Sequence, residues 1–133
     1  MAGLTKDRAT PYRDGVELDF PVAANGKIYA GSLVCVNSTG YVVPAADTAG
    51  MKFLGVALEQ VDNTGGANGA LTVRLRRTGA FLFDANSITQ AMLGSAMYVA
   101  DDHTVASTGT NSIRAGVLVK FVDSAHGWID ITA

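Results

Sequence analysis

The sequence predicts an all-β domain, either a compact barrel or a jelly-roll-like sandwich of about eight to ten short strands. Short runs rich in Val, Ile, Leu and aromatic residues are bounded by Gly, Asn, Asp and Ser, which is typical of strands joined by turns. Apolar and polar side chains alternate along residues 71–76, and a period of two belongs to strands. No segment of about ten or more residues carries the apolar stripe of an amphipathic helix. Closure into a barrel is favoured because it removes exposed sheet edges.

The chain reads as two copies of one plan, residues 18–75 and residues 81–133. The matched segments keep the same order, and small deletions fall in loops rich in Gly, Asn, Thr and Ser. The matches are residues 31–36 with 94–99, 54–58 with 115–119, 61–62 with 122–123, and 67–73 with 125–131. Two copies are too few for a solenoid. We therefore predict a single domain over residues 16–133 with pseudo-two-fold internal duplication.

The first half of each copy is predicted to contain a strand, a turn and a hairpin. An apolar run forms the opening strand, and a polar segment then forms a turn or a single helical turn. A Gly-Ser step leads into the second strand, and a tight turn returns the chain as the third. The predicted ranges are 16–20, 23–27, 33–36 and 41–43 in the first copy, and 80–83, 86–92, 96–99 and 104–105 in the second.

The second half of each copy is predicted to be a long strand followed by a closing hairpin. The long strands are residues 52–61 and 113–122, and the closing strands are residues 71–75 and 128–131. Residues 1–15 lie outside the repeat. Because this stretch is polar and is interrupted by Pro11, we expect an extended N-terminal arm.

Composition limits the possible partners and the cellular setting. A chain of 133 residues is expected to fold as one domain around a single core. Its formal net charge of -2 creates no field that would attract nucleic acid or an anionic membrane, and no stretch reaches the ~20 apolar residues needed to span a bilayer. The first eight residues contain no apolar signal region, so synthesis in a reducing cytosol is expected. Cys35 is the only cysteine and is predicted to be buried and inert.

Two histidines are candidate site residues. His103 follows Asp101 and Asp102, which could form a metal cluster or an acid-base pair. The repeat favours a turn, since His103 falls where Gly40 falls in the first copy and His tolerates left-handed backbone better than most residues. His126 is also placed in a turn, and two histidines without a third convergent ligand make no metal site.

Other motifs give no catalytic signal. Ser32 and Ser95 each follow Gly, but neither lies in a Gly-x-Ser-x-Gly motif. Residues 65–69 are rich in Gly but lack the Lys and Ser/Thr of a phosphate-binding loop. A small hydrolase or isomerase would need two converging titratable groups, and the two copies offer no such pair. We therefore predict no enzyme activity, no catalytic residue, no metal and no cofactor.

Basic residues are the candidate contacts with a protein partner. The cluster on the predicted closing strand is either a solvated face or a contact with an acidic partner. The arm is either a disordered terminus or a segment that becomes ordered on a neighbouring subunit, with a tyrosine as its anchor. The candidates are Arg74, Arg76 and Arg77 on the strand, and Lys6, Arg8, Pro11, Tyr12 and Arg13 in the arm.

The repeated motif resembles that of the small capsid decoration (cement) proteins of tailed bacteriophages. It consists of a Gly-Ser step into an apolar strand, a short turn and an apolar Gly-Val strand, and the Arg-rich strand is followed by a Gly-x-Phe step. The residues that carry it are 31–32 with 54–58, 94–95 with 115–119, and 79–81. The resemblance covers roughly residues 16–132.

This resemblance implies a structural virion protein. Such proteins form β-rich knobs on the outer capsid surface, where they stabilise the expanded shell by bridging major capsid protein subunits. The implied partners are the major capsid protein and further copies of the chain, as a homo-dimer or homo-trimer. The implied location is the outer surface of the virion, after synthesis in the bacterial host cytoplasm. The family has no catalytic residues, and its terminal arms often reach across subunits.

The alternative is another virion or surface β module, such as a fibre base or a carbohydrate-binding domain. Carbohydrate binding would require an exposed aromatic platform. Trp128 is the only tryptophan and lies on a predicted closing strand, where core packing is the expected use.

Overall fold

The computed structural model describes residue 3, residues 5–9 and residues 15–132. Within this part of the chain, the protein contains twelve β-strands, one 3-10 turn and no α-helix. The predicted all-β class is therefore confirmed. Two of the strands have only two residues each, and the remaining ten agree with the predicted number. Residues 5–9 of the arm contain neither strand nor helix.

The strands follow the predicted order in both copies, except that the predicted long strand 52–61 is divided into two strands, Lys52–Ala57 and Val61–Asp62. Those of the first copy are β1 (Glu17–Pro21), β2 (Lys27–Ile28), β3 (Leu33–Val36), β4 (Val42–Pro44), β5 (Lys52–Ala57), β6 (Val61–Asp62) and β7 (Thr72–Arg76). Those of the second copy are β8 (Ala80–Asn86), β9 (Ala96–Val99), β10 (Thr104–Ala106), β11 (Arg114–Asp123) and β12 (His126–Asp130). The 3-10 turn Gln90–Met92 lies between β8 and β9, inside the predicted helical turn.

The two copies have the same strand order. The first forms a sheet in the order β1-β7-β5-β3-β4, and one parallel bridge between Val22 and Val42 joins its two edges. The second follows the order β8-β12-β11-β9-β10 and closes fully, because β10 pairs in parallel with β8. The bridge of the first copy corresponds to the pair between Ala85 and Val105 in the second. The internal duplication is confirmed by this shared topology.

One predicted match between the copies is wrong. Leu75 pairs with Leu18 in the first copy, and Ile129 pairs with Phe81 in the second, which makes Leu75 equivalent to Ile129. The sequence match of residues 67–73 with 125–131 had placed Leu71 at that position. An even shift leaves every side chain on the same face of a strand, so hydrophobic alternation could not distinguish the two alignments.

The predicted single core is also wrong, since two hydrophobic clusters are present. The first is formed only by the first copy and consists of Val22, Ile28, Val34, Val42, Ala57, Val73 and Leu75. The second fills the second barrel and also includes Leu33, Cys35, Ala45 and Val56 of the first copy. Strand β3 is shared between them: Val34 belongs to the first cluster, whereas Leu33 and Cys35 belong to the second. This division follows from the two-residue period of a strand.

Cys35 is fully buried in the second cluster. Burial raises the pKa of its thiol to about 11, so the thiol stays protonated at neutral pH. The prediction of an inert, buried cysteine agrees with this environment.

Hydrogen bonds also join the two copies. The carboxylate of Asp47 accepts bonds from the backbone N–H groups of Thr110 and Asn111, both at 2.9 Å. The Asn111 amide donates to the Asp47 carbonyl oxygen at 3.0 Å. The N–H of Asn111 is the main cause that lowers the pKa of Asp47. The hydrogen-bonded Asp47 carboxylate stabilises the folded protein at pH values above the ordinary carboxyl pKa. This stabilisation is lost as the pH falls through the lowered pKa of Asp47.

Two equivalent glycines allow strands to approach closely. A Cβ atom on Gly55 would lie 2.6 Å from the carbonyl oxygen of Arg76. One on Gly116 would collide with the carbonyl oxygen of Asp130. Because the obstacle in both cases is backbone, a side chain cannot be accommodated by rotation of a neighbouring side chain. Both glycines are therefore structural requirements of the duplicated sheet.

We predict that Gly55→Ala and Gly116→Ala each lower the free energy of unfolding by about 1–3 kcal/mol, because the added methyl group displaces a strand. Urea denaturation would measure the change. Gly109→Ala is the control, since its Cβ would meet its nearest neighbours at 3.5 Å, an ordinary contact distance. Unchanged denaturation midpoints for both core variants would contradict this account.

Candidate functional site

The predicted arm residues are only partly described. Lys6 and Arg8 are exposed. Pro11, Tyr12 and Arg13 lie outside the described residues. The use of the arm as a binding segment remains a prediction.

Arg74 and Arg76 lie on the outer face of β7 beside carboxylates. An Arg74 guanidinium nitrogen is 3.9 Å from Glu59 Oε2, and one of Arg76 is 3.6 Å from Glu17 Oε2. All four side chains are substantially exposed to solvent, so each ion pair contributes little to stability. This geometry agrees with a solvated strand face.

Arg77 has a different environment from the other two arginines. It lines a cleft of about 260 Å³ to which both copies contribute. The other lining residues are Phe53, Leu54, Arg114, Ala115 and Ile131. Among the described residues, neither Arg77 nor Arg114 forms an ion pair with a carboxylate. A partly apolar cleft lined by two arginines suits a carboxylate or phosphate group.

The sequence analysis missed Arg114 as a member of this cleft. Arg77 and Arg114 are far apart in the chain, and Arg114 is an isolated charge at the start of β11. Only the packing of the two copies brings the residues to one cleft. No local motif could have indicated their proximity.

A second polar cluster is centred on Asp84 of β8. His103 Nδ1 is 2.8 Å from Asp84 Oδ2, and His126 Nε2 is 3.4 Å from Asp84 Oδ1. His126 Nδ1 is in turn 2.8 Å from Asp123 Oδ1. One carboxylate therefore joins the two histidines that the sequence analysis had treated separately. The pairing of β8 with both β10 and β12 creates this arrangement.

His103 lies in the predicted hairpin turn. Its backbone N–H donates to Asp101 Oδ1 at 2.9 Å, which is a local Asx-type contact. The strand pairing makes it equivalent to Gly40, as expected. However, Gly40 has a φ of 93°, whereas His103 is not among the residues with positive φ. The expected left-handed backbone at His103 is therefore wrong, although the turn is correct. His126 begins strand β12, so its predicted position in a turn is wrong.

The charge environment favours protonation of His103. Its hydrogen bond to Asp84 raises the pKa of the imidazole, and the nearby carboxylates of Asp101 and Asp102 add to this effect. The resulting stabilisation is present below the ordinary histidine pKa and is lost as the pH rises through the raised value. The side chain is 63% exposed, so solvent screens the interaction.

The polar groups around His103 contact both of its ring nitrogens. The Thr104 hydroxyl lies 3.2 Å from His103 Nδ1, the same ring nitrogen that contacts Asp84. The other ring nitrogen, Nε2, lies 3.5 Å from Asp101 Oδ1, so carboxylates lie beside both ring nitrogens. The ligand atoms of Asp101, Asp102 and His103 lie within 4.8 Å of one another, so these three residues could approach a common cation.

The predicted core position of Trp128 is wrong. Trp128 is 36% exposed on the outer face of β12, and it pairs across the strands with Leu82, which is 49% exposed. The neighbouring Gly127 and Ile129 take the inward positions. The second barrel therefore presents an aromatic residue to solvent.

Comparison with known proteins gives one structural relative. No protein-family model matches the chain, and no curated protein matches it. The head fibre gp8.5 N base of bacteriophage phi29 is similar in structure, with a TM-score of 0.50 and 18% sequence identity. The similarity covers 86% of this chain and 93% of that one. It shows a common fold. The described part of the chain also has no helix long and apolar enough to cross a membrane.

We predict that Asp84→Asn lowers the pKa of His103 toward its ordinary value, because the substitution removes the charged acceptor. An NMR titration of the ring protons would measure the shift. Asp130→Asn is the control, since the Asp130 carboxylate contacts Thr132 instead. An identical His103 titration in the wild-type and Asp84→Asn proteins would contradict the assigned contact.

Proposed function

We propose that this chain is a structural protein of a bacteriophage virion and forms the base of a fibre on the outer surface of the head. The observation that carries the proposal is the fold shared with a head fibre base over most of both chains. The resemblance of the repeated motif to capsid decoration proteins independently supports a virion role.

The two virion functions differ in what attachment does to the shell. A decoration protein binds the expanded shell preferentially and therefore stabilises it by its differential affinity. A fibre base needs only to hold an appendage on the head. The structural similarity favours the fibre base, and the decoration function is the second candidate. In both, the proposed partner is the major capsid protein.

The cleft lined by Arg77 and Arg114 is the proposed contact with the capsid. Its two arginines, which form no ion pair within the described part of the chain, would receive an acidic side chain of the capsid protein. Arginine is favoured in such contacts because its planar fork binds a carboxylate through two hydrogen bonds. Several copies, as a dimer or trimer, would add avidity on a shell with repeated binding sites.

Co-sedimentation with heads of the source phage tests this function. The purified chain would be mixed with expanded heads and with unexpanded shells, and the bound copy number and the melting temperature of each shell would be measured. Saturable binding without a change in melting temperature supports a fibre base. Selective binding that raises the melting temperature of expanded heads supports a decoration protein. Absence of binding to either particle would overturn both functions.

We predict that removal of residues 1–14 leaves the barrels folded but weakens binding to heads, because the arm supplies part of the contact. Circular dichroism and co-sedimentation would be measured on the same samples. Equal affinity of the shortened and complete chains would remove the arm from the binding surface.

We predict that Arg77→Ala and Arg114→Ala each raise the Kd for heads about tenfold, because each removes a charge-assisted hydrogen bond. Arg74→Ala is the matched control, since Arg74 already lies beside Glu59 on the outer face. If Arg74→Ala raised the Kd as much as the cleft variants, loss of any positive charge would explain the weaker binding, and a specific contact in the cleft would be contradicted.

A further inference from the structure

The outer face of the second barrel carries two adjacent rows of side chains. Each row crosses β8, β12 and β11 in that order. The first row consists of Leu82, Trp128 and Lys120, and the second consists of Asp84, His126 and Asp123. The rows lie two residues apart along β8 and β12, which is about 7 Å. They lie three residues apart along β11, where the pairing contains a bulge. An apolar surface thus lies directly beside a hydrogen-bonding surface.

The first copy shows that the fold does not require this surface. Its equivalent of the Leu82–Trp128 pair is Asp19 and Arg74, which occupy the same positions in the pairing of β1 with β7. Glu59 lies beside Arg74 in that row. An ordinary charged surface is therefore compatible with the same barrel. The exposed apolar pair of the second copy calls for an explanation other than folding.

The polar row differs between the copies as well. The positions of Asp84 and His126 are occupied in the first copy by Pro21 and Thr72. Both adjacent outward pairs have thus changed together, one to apolar and aromatic residues and the other to residues that accept and donate hydrogen bonds. A change of two neighbouring pairs points to a single ligand that contacts both.

We propose that this face binds a neutral hexopyranose unit of a glycan. A pyranose ring has an apolar C–H face and a rim of hydroxyl groups, and it is comparable in width to the ~7 Å between the rows. Trp128 and Leu82 form the platform for the C–H face. Asp84 and His126 bind the hydroxyl groups, the carboxylate as acceptor and the imidazole N–H as donor.

The polar row is held in place before binding. Asp84 is fixed between His103 and His126, and His126 is also fixed by Asp123. A ligand therefore meets side chains whose freedom is already reduced, which lowers the entropic cost of binding.

The local charge selects among sugars. The carboxylates of Asp84, Asp101, Asp102 and Asp123 lie in or beside the polar row. Within the two rows, Lys120 is the only lysine or arginine. Such a surface repels uronic acids and phosphorylated sugars and admits neutral ones. It also differs from the core of a protein interface, where charged side chains are depleted.

The sole tryptophan of the chain is a built-in reporter. The full-length protein would be titrated with maltohexaose, cellohexaose and chitohexaose to about 10 mM, beyond the affinity of a weak millimolar site. Polygalacturonate is the acidic comparison. The expected result is a saturable change of Trp128 fluorescence with at least one neutral sugar and none with polygalacturonate.

Variants of this face locate the site, and two of them, Leu82→Asp and Trp128→Arg, install the residues of the first copy. Leu82→Asp and Asp84→Asn should each weaken sugar binding at least tenfold. Trp128→Arg should abolish binding, and this variant would be measured by calorimetry because it lacks the tryptophan signal. The matched control is Asp19→Asn at the equivalent position of the first copy, which should leave binding unchanged. Circular dichroism would confirm that each variant is folded.

Three outcomes would overturn the proposal. They are no fluorescence change with any neutral sugar, a response to polygalacturonate alone, and a change of oligomeric state in Leu82→Asp by sedimentation velocity. The last result would assign the face to contacts between copies. Capsid attachment is measured separately and through other residues, so failure of either proposal leaves the other intact.

Discussion

Burial of β3 on both of its faces is the constraint on which the rest of the structure depends. Val34 belongs to the core of the first copy, while Leu33 and Cys35 pack into the core of the second. A strand that contributes to two cores cannot shift without opening one of them. This shared strand joins the first copy to the core of the second, and residues of both copies line the cleft that includes Arg77 and Arg114.

Duplication gives this chain two versions of one scaffold with different exteriors. The close strand contacts at Gly55 and Gly116 are equivalent, as are the positive-φ turns at Gly31 and Gly94. Strand packing and turn geometry do not restrict the side chains at the outward-facing positions, since these side chains face solvent. These positions accordingly differ between the copies. They form a charged surface on the first copy and a mixed aromatic and acidic surface on the second. Each barrel serves as an internal reference for the other, which separates residues needed for folding from residues available for binding.

The proposed functions depend on binding surfaces, and this agrees with the distribution of polar groups. The titratable cluster around Asp84 is solvent-exposed, and its carboxylates lie beside both ring nitrogens of His103. Such contacts hold hydrogen-bonding groups in fixed positions on the surface. The proposed fibre base has a modest net charge and therefore needs specific local contacts, because its overall field provides little steering. The Arg cleft and the outer face of the second barrel are two such local surfaces, and they use different residues.

The sequence alone determined the strand order, the duplication and the identity of the turn at His103, because these depend on local composition and on a two-residue period. The same period could not determine what each face of a strand contacts. The tertiary structure decided that β3 faces two cores, that Trp128 faces solvent, and that Leu75 is the equivalent of Ile129. It also decided that Arg114 joins Arg77 and that Asp84 joins two histidines. Alternation shows that a strand has two different faces, but only the packing of distant segments shows whether solvent, a second sheet or another polar side chain lies against each one.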